Sequence, residues 1–461
     1  MPIVNQDLPF DLPWAEGRTP AEFSARAFGS GSAEPAERAA GLVMVPFRGV
    51  RYAPSVDLAA VTSPPYDLID EEAITRLLAV DPYNIVRLIL PVGDPAGRYV
   101  QARDTLRAWR STGALDTDPD PGLYVYEQSG RDVLQRGLIG AVGLRAEAAG
   151  IVLPHEDVFP GPVRDRLRLM GTTGANLEPI FLVYDGGGTA SQIVDATATD
   201  RQPVVEIRTD DGLTHRLWRV AEPQVHADIA ADLKERRALI ADGHHRYATY
   251  RALQARHHAS GDGPGPWDYG LALLVDSAHY PPRLAAIHRV LPGLPLTAAV
   301  ERAKGVFRVA EVSGSPAAAL DRLSATTTTA FLLGDTARLY LLTDPDPVAL
   351  SRAMPPERSG RWRRLDTAVL DQLLIKHVWG ITADEHTVEI VHHDAAAALS
   401  RAARSSGTAV VMNPLQMADV LAVAAGGERV PRKSTSFGPK PRTGVVLRLF
   451  DAESASRPTS P

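Results

Sequence analysis

The segment Asp242-Gly243-His244-His245-Arg246 places an acid, a glycine, two imidazoles and a guanidinium between two apolar runs. A β-type run precedes it and apolar residues at helical spacing follow it, which predicts a strand-to-helix turn. Gly243 permits a backbone conformation that other residues avoid, and the first amides of a helix have no partner within it. Such a helix N-terminus favours anions. The segment therefore predicts a phosphate-binding turn, in which Asp242 acts as a base or holds a divalent cation.

A metal site is a weaker interpretation of the same residues. His244 and His245 are adjacent, and neighbouring side chains on a helix do not face each other. Neither the HExxH spacing nor a local pattern of two histidines and a carboxylate is present. In a further alternative, Asp242 caps the helix and the histidines pack or face solvent. The combination of residue types at one junction favours the phosphate site, and no direct metal ligand is assigned.

A second cluster lies in the late segment PRKSTSFGPKPR. It carries cations at Lys433 and Lys440 and hydroxyls at Ser434 and Thr435, and its prolines and glycine predict a loop. Such a cluster suits a polyanionic phosphate donor. An exposed basic loop is the alternative, and the sequence leaves both open.

A third cluster mixes acid, base and cation in a segment with few apolar residues. His155 and Glu156 come first, and Asp165 and Arg166 follow later in the same polar segment. The cluster either binds substrate or forms a salt-bridged loop, and the residue types alone do not separate these two alternatives.

Composition excludes several classes of protein. The 461 residues carry a net charge of -6, so the overall charge does not indicate a nucleic-acid or anionic-membrane partner. The absence of cysteine excludes disulfides, thiolate metal sites, iron–sulfur clusters and a cysteine nucleophile, and fits a cytoplasmic protein. A secretory signal and an apolar run of about 18 residues are both missing, so no membrane partner is expected.

The elements that must position these clusters alternate between helical and β-type patterns, which predicts a mixed α/β fold. We expect a mobile arm over residues 1–40, an N-terminal portion over 41–294, a C-terminal α/β portion over 295–450 and a disordered tail over 451–461. No long linker separates the two portions, so they are expected to pack together.

Local patterns give more detailed expectations. A buried strand is predicted over residues 85–90, a helix over 98–111, and an antiparallel hairpin with its turn at Gly130. The adjacent residues His392 and His393 follow a predicted strand and precede a helix N-cap, and they are interpreted as structural.

Five motifs in order resemble a family of bacterial and archaeal proteins with a DGHHR box, long described as a domain of unknown function. The resemblance covers nearly all of residues 42–450, and the motifs are SPPYDLID, NIVRLILP, HEDVFPGPVRDRLRL, ADGHHRYAT and VPRKSTSFGPKPRTGVV. The box resembles that of the ParB/sulfiredoxin-like superfamily, in which a Gly-x-x-Arg turn at a helix N-terminus binds nucleotide phosphates. The resemblance implies a ParB/sulfiredoxin-like core, with the C-terminal α/β portion packed against it.

Most motif positions of the family are matched residue by residue. Val158 stands where threonine is usual and Ser436 where an aromatic residue is common, and neither departure removes an obvious catalytic group. The implied substrate-binding residues are Tyr66, His155, Asp165 and Arg166. The implied phosphate-binding residues are Gly243, His244, His245, Arg246, Lys433, Ser434, Thr435 and Lys440.

The resemblance implies a phosphotransferase, because some members of the family are free serine kinases that use pyrophosphate. The expected reaction moves a phosphoryl group from pyrophosphate or a nucleotide to a small hydroxyl substrate, free L-serine giving O-phosphoserine, with Mg²⁺ bound together with the donor. Asp242, Glu156 and Asp67 are the candidate bases, and the sequence does not rank them.

Two other classes of function stay open at this point. A ParB-like, nucleotide-responsive DNA-associated or regulatory protein is disfavoured by the acidic charge and by the lack of a helix-turn-helix signal or basic stripe. A hydrolase of nucleotides or phosphate esters would use water in place of the hydroxyl substrate. The expected partners are a small-molecule substrate and its phosphate donor, without nucleic acid or membrane, and a homodimer is left open.

Overall fold

The computed structural model describes residues 41–383 and 386–454. In this part of the chain, strands form a nine-stranded, a six-stranded and a four-stranded sheet and a two-stranded ribbon, with helices between them. The predicted mixed α/β fold is confirmed. The predicted arm over residues 1–40 lies outside the described residues.

The nine-stranded sheet, here called the N-terminal sheet, is mixed. Two of its strand pairs are parallel and the others antiparallel. The hairpin expected around Gly130 is present, since Leu123–Gly130 pairs antiparallel with Val133–Gly143. Along the sheet the strands follow the order Val152–Leu153, Ala238–Asp242, Ile180–Tyr184, Tyr269–Asp276, Val133–Gly143, Leu123–Gly130, Thr214–Val220, Val205–Arg208, and Met44–Val45 pairs beside Val133–Gly143.

The six-stranded sheet, here called the C-terminal sheet, is antiparallel throughout. Its strands follow the order Arg308–Glu311, Leu339–Thr343, Phe331–Gly334, Thr408–Met412, Ile287–Leu291, Glu389–His392. The two-stranded ribbon pairs Arg283–Ala285 with Ser436–Gly438, so part of the segment predicted as a loop is a short strand.

The four-stranded sheet joins distant parts of the chain. Its order is Leu115–Thr117, Gly49–Tyr52, Leu447–Leu449, Ala175–Asn176. Arg448 is fully buried there and donates to Asn176 Oδ1 and to the carbonyl of Tyr269, both at 2.9 Å. The chain beyond Val445 therefore returns to the N-terminal portion and does not finish within the C-terminal sheet.

The helices of the described residues include several single turns. The α-helices are Leu58–Val61, Glu71–Val80, Val86–Ile89, Arg98–Ser111, Pro160–Thr173, Thr189–Asp200, Pro223–Leu233, His244–Ala259, Leu296–Ala303, Pro316–Ser324, Pro347–Ala353, Asp366–Val369, Ala395–Arg404, Met417–Ala425 and Phe450–Ser454. A π-helix spans Leu370–Val378, and 3-10 turns span Tyr66–Leu68, Glu147–Ala149, Pro266–Asp268 and Trp362–Arg364.

Two local expectations differ from the structure. Residues 85–90, predicted as a buried strand, contain the helix Val86–Ile89, whose first amide is capped by Asn84 Oδ1 at 3.0 Å. A short apolar run looks the same for a buried strand and a buried helix, so periodicity could not separate them. The helix Phe450–Ser454 occupies the start of the segment expected as a disordered tail, and residues 455–461 lie outside the described ones.

One hydrophobic cluster runs through both large sheets. It includes Phe181 and Leu273 of the N-terminal sheet together with Leu333 and Val410 of the C-terminal sheet. Burial of such residues is the main favourable contribution to folding, so the two sheets are held by a shared core. Among the described residues, no helix is both long and apolar enough to cross a membrane.

Candidate functional site

The segment from Asp242 to Arg246 forms the predicted strand-to-helix turn. The strand Ala238–Asp242 ends at Gly243, and the helix His244–Ala259 begins directly after it. Gly243 has φ 94°, in the left-handed region, and a Cβ atom there would lie 2.8 Å from Ile180 Cγ2. Both the conformation and the space require glycine, and the first amides of a helix have no hydrogen-bond partner within it.

Arg246 lies beneath this turn. It is 2% exposed, and its two amino groups donate to the carbonyl of Pro179 and to Asp242 Oδ2, each at 2.7 Å. Burial would lower its pKa, but Glu178 and Asp242 raise it above the ordinary value, so the guanidinium stays charged. Arg246 was predicted as a phosphate ligand, and the structure places it as the residue that holds Asp242 at the turn.

Lys440 connects two of the candidate carboxylates. Its ammonium lies 2.5 Å from Asp242 Oδ1 and also forms an ion pair with Asp67 Oδ2. Burial alone would raise the pKa of Asp67, but the charges of Lys440 and Arg246 lower it below the ordinary value. The pKa of Lys440 is raised, because the attraction of both carboxylates exceeds the effect of burial. Asp67 is therefore ionised, and Lys440 brings it close to Asp242.

Tyr66 covers two guanidinium groups. Those of Arg166 and Arg246 lie 4.7 and 5.7 Å from the centroid of its ring, within the range of a cation–π interaction. The amide of Tyr66 donates to Oε1 of Glu178 at 3.0 Å. Glu178 is 4% exposed and was not singled out in the sequence, because an isolated glutamate before proline carries no pattern.

Asp165 and Arg166 lie on the helix Pro160–Thr173 and pair with each other. Asp165 also accepts from Arg98 at 2.8 Å and from the hydroxyl of Tyr99 at 2.6 Å. Arg166 donates to the carbonyl of Ile89 at 2.6 Å. These contacts match the salt-bridged alternative of the sequence analysis, with the difference that the residues are helical.

His155 and Glu156 meet the late segment through Thr435. The hydroxyl of Thr435 donates to Glu156 Oε1 at 2.9 Å and lies 2.7 Å from His155 Nε2. A hydroxyl carries one proton, so His155 donates from Nε2. Burial lowers the pKa of His155 to about 3, which keeps the ring neutral. The three side chains form a continuous hydrogen-bonded chain that ends on the carboxylate.

The carboxylate of Glu156 is anchored by the late segment. Its Oε1 also accepts the amide of Ser434 at 3.3 Å, and the amide of Thr435 donates to the carboxylate as well. Burial raises the pKa of Glu156, opposed by the hydrogen bond from Thr435 and by the charge of Lys433. In contrast to Asp67 and Asp242, this carboxylate forms no ion pair within the described part of the chain.

The predicted basic loop folds around Glu156. Ser434 is 3% exposed, and its hydroxyl donates back to the carbonyl of Pro431. Lys433 has φ 55°, an uncommon conformation for a residue with a side chain, and its carbonyl accepts from Arg289 at 2.9 Å. Its exposed ammonium has no hydrogen-bond or ion-pair partner within residues 41–383 and 386–454, so this cation is available to a ligand.

The two histidines of the turn accept backbone hydrogen bonds. His244 Nε2 receives the amide of His155 at 3.2 Å, and His245 Nε2 receives the amide of Phe159 at 3.0 Å. The ring of His245 stacks on Phe159 with an interplanar angle of 9°. For both rings, Nε2 is therefore occupied by the protein itself.

His392 and His393, interpreted from the sequence as structural, lie beside the site. His393 Nε2 is 2.9 Å from the hydroxyl of Ser436, in the loop that carries both lysines. The pKa of His392 is lowered to about 4 by burial and by the charges of Lys433, His393 and Lys440. The pairing of strands in the C-terminal sheet brings His392 and His393 to the site, and no local sequence pattern indicates this position.

The arrangement combines a helix N-terminus, two lysines and three carboxylates. No group of three or more histidine, aspartate or glutamate side chains able to hold a metal occurs among the described residues. Mg²⁺ is commonly bound through one or two carboxylates plus substrate phosphates, a donor set that Asp67 and Asp242 match. The site is thus suited to a phosphorylated ligand and to proton transfer.

Comparisons with known proteins agree with the family expectation. A family model described as "Protein of unknown function (DUF1015)" matches residues 44–368, more than half of the chain. Lys433 and Lys440 lie beyond this matched segment. Among curated proteins, none matches the chain.

Several solved structures show overall similarity. A free serine kinase mutant in complex with ADP is 14% identical, with a TM-score of 0.34, and the match covers 67% of this chain and 90% of that one. SbnI from Staphylococcus aureus, with a C-terminal truncation, is 11% identical, with a TM-score of 0.36 and coverage of 69% and 90%. A conserved hypothetical protein from Pyrococcus furiosus is 12% identical, with a TM-score of 0.34 and coverage of 70% and 98%.

Proposed function

The chain belongs to the family described as "Protein of unknown function (DUF1015)", and we propose that it transfers a phosphoryl group from pyrophosphate or a nucleotide to the hydroxyl of free L-serine. The observation that carries the proposal is the position of Lys440. Its ammonium lies between Asp67 and Asp242, at the N-terminus of the helix His244–Ala259. This places a cation, two carboxylates and unpaired helix amides around one point.

The donor phosphates bind at the glycine turn. The amides at the start of the helix and the ammonium of Lys440 provide hydrogen bonds and positive charge for one phosphate. The exposed ammonium of Lys433, which has no partner in the described structure, is available to the next phosphate. Phosphoryl transfer needs positioning and charge neutralisation more than covalent chemistry, and these groups supply both.

Asp67 and Asp242 fit the carboxylate ligands of Mg²⁺ brought in with the donor. When bound, the ion neutralises charge on the phosphate oxygens. Lys440 now neutralises both carboxylates, and its raised pKa keeps it protonated while the donor is present. Arg246 holds Asp242 in place through the 2.7 Å hydrogen bond to Oδ2.

Glu156 accepts the proton from the serine hydroxyl. Of the three candidates, it is the carboxylate without an ion pair, and burial raises its pKa, which makes it a better base than a cation-paired aspartate. A bond forms between the serine oxygen and phosphorus, the bond from phosphorus to the leaving phosphate oxygen breaks, and the hydroxyl proton passes to the Glu156 carboxylate. The choice of serine rests on the resemblance of the five sequence motifs.

The test is an endpoint assay with purified full-length protein and Mg²⁺. L-Serine is offered with pyrophosphate, ADP or ATP in turn, and O-phosphoserine is measured by mass spectrometry alongside released phosphate. We expect O-phosphoserine with one of these donors and none from the Glu156→Gln protein. Absence of product with all three donors overturns the proposal, and phosphate release at equal rates with and without serine identifies a hydrolase instead.

A further inference from the structure

The adjacent histidines of the glycine turn are bonded to the segment that carries Glu156. His244 and His245 accept the amides of His155 and Phe159, at 3.2 and 3.0 Å. These two amides lie on either side of Glu156 in sequence. The segment 155–159 is therefore held at both ends by two consecutive residues of one helix.

The hydrogen bonds fix the protonation state of both rings. A ring nitrogen that accepts a hydrogen bond carries no proton, so each imidazole has its proton on Nδ1 and is neutral. Burial lowers the pKa of His245 to about 4 and that of His244 well below its ordinary value. Neither ring supplies positive charge to a phosphate near neutral pH.

The adjacency of the two histidines follows from the geometry of the segment they hold. Consecutive residues on an α-helix point about 100° apart, so two neighbouring rings reach two separate points of a passing chain. Histidines spaced three or four residues apart would lie on the same face of the helix and reach the same part of the passing chain. An adjacent pair at a helix start can thus bond two amides four positions apart in the segment.

The opposite side of the segment is held by the C-terminal loop. Glu156 Oε1 accepts from Thr435 and Ser434, while the histidines fix the backbone on both sides of the residue. Backbone and side chain of Glu156 are thereby restrained from two different parts of the chain.

We propose that His244 and His245 are positioning residues, which hold the backbone of residues 155–159 by accepting its amides and so orient the Glu156 carboxylate. The effect of this positioning on catalysis rests on the proposed phosphotransferase function. The positioning itself does not, because it concerns hydrogen bonds within the chain.

Substitutions by glutamine and asparagine separate this role from direct phosphate binding. A glutamine oxygen lies near the position of Nε2 and can accept the same amide, whereas an asparagine oxygen lies nearer Nδ1 and falls short. The test uses His244→Gln, His244→Asn, His245→Gln and His245→Asn. His258→Asn is the control, because His258 lies at the far end of the same helix, with its Nε2 2.7 Å from Asp268 Oδ1.

The first measurement is steady-state kinetics of O-phosphoserine formation. Positioning predicts that both asparagine variants lose kcat by about 100-fold with little change in KM for the donor, while the glutamine variants retain most of the wild-type rate. A rise in donor KM at unchanged kcat, or equal losses for glutamine and asparagine, overturns the proposal.

The second measurement does not depend on activity. Hydrogen exchange followed by mass spectrometry should show faster exchange of the peptide covering residues 155–159 in the asparagine variants, with protection kept in the glutamine variants and in His258→Asn. Unchanged exchange in both asparagine variants overturns the positioning role. If the wild type forms no O-phosphoserine but exchange changes as expected, the proposed function fails and the positioning role stands.

Discussion

Nζ of Lys440 lies 2.5 Å from Oδ1 of Asp242, and this ion pair bonds the C-terminal loop to the glycine turn of the N-terminal sheet. The same ammonium pairs with Asp67, which follows Tyr66 near the start of the described chain. Three segments that are far apart in sequence therefore meet at one charge. Without that charge, two nearby carboxylates would repel each other and any phosphate.

The change Lys440→Met removes the charge and keeps much of the side-chain volume. We expect phosphoryl transfer to fall by about 100-fold or more, because a cation aimed at developing charge is lost and two anions remain. Lys304→Met is the matched control, since the exposed Lys304 directly follows the helix Leu296–Ala303 and its ammonium pairs with Glu301. Formation of O-phosphoserine is measured for both, with circular dichroism to verify folding. Wild-type activity in Lys440→Met would remove Lys440 from the mechanism.

The change Gly243→Ala tests the glycine turn. At φ 94° the added Cβ is strained and also lies 2.8 Å from Ile180 Cγ2, so we expect a loss of about 1–3 kcal/mol in the free energy of unfolding. Gly212→Ala is the control, because Gly212 has φ 80° with no atom within 4 Å of the added Cβ. Urea denaturation compares the two. An equal loss of unfolding free energy in both variants would mean that Ile180 moves aside at no cost and that backbone strain alone destabilises Gly243→Ala.

The change Thr435→Val tests the anchoring of Glu156. The hydrogen bond from Thr435 lowers the pKa of Glu156 against the stronger effect of burial, so its removal should raise that pKa further. A general base acts only when deprotonated, and the acidic limb of the kcat profile should move to higher pH. Thr112→Val is the control, since that hydroxyl donates to the carbonyls of Ala108 and Trp109 at the end of its own helix. If the acidic limb of the kcat profile stays at the same pH in Thr435→Val, a group other than Glu156 causes that limb.

The change His215→Gln tests the pH dependence of stability. Burial and the charge of Arg442 lower the pKa of His215 in the folded protein to about 4, from an ordinary value of 6.5. Between these values the unfolded chain binds a proton that the folded protein does not, so the wild type loses stability as pH falls. Relative to His215→Gln, the loss between pH 7 and pH 4.5 should be on the order of 2 kcal/mol, measured by urea denaturation. Parallel stability curves for the two proteins would contradict this.

Features set by neighbours in sequence could be predicted. The glycine turn at Gly243 and the hairpin at Gly130 each depend on a few consecutive residues, and both are found as expected. The helix predicted over residues 98–111 has those bounds. Local periodicity was sufficient for the helix, and periodicity together with one glycine was sufficient for the turn and the hairpin.

Features set by long-range contacts could not be predicted. Arg246 has the chemistry of a phosphate ligand, but only the tertiary structure shows its amino groups bound to Pro179 and Asp242. The approach of His392 to the lysines depends on how the C-terminal sheet pairs, and the sequence carries no local sign of it. Ranking the carboxylates likewise required their ion pairs, which the residue types do not reveal.

The strand Leu447–Leu449 pairs with Gly49–Tyr52, near the other end of the described chain. On the ribosome, the N-terminal portion emerges long before this strand exists, so the four-stranded sheet cannot close until residues 447–449 have been made. Thr435 and Lys440 come from the same late segment. A nascent chain shorter than 440 residues therefore carries the glycine turn without its lysine, and the site can be completed only after Lys440 has been made.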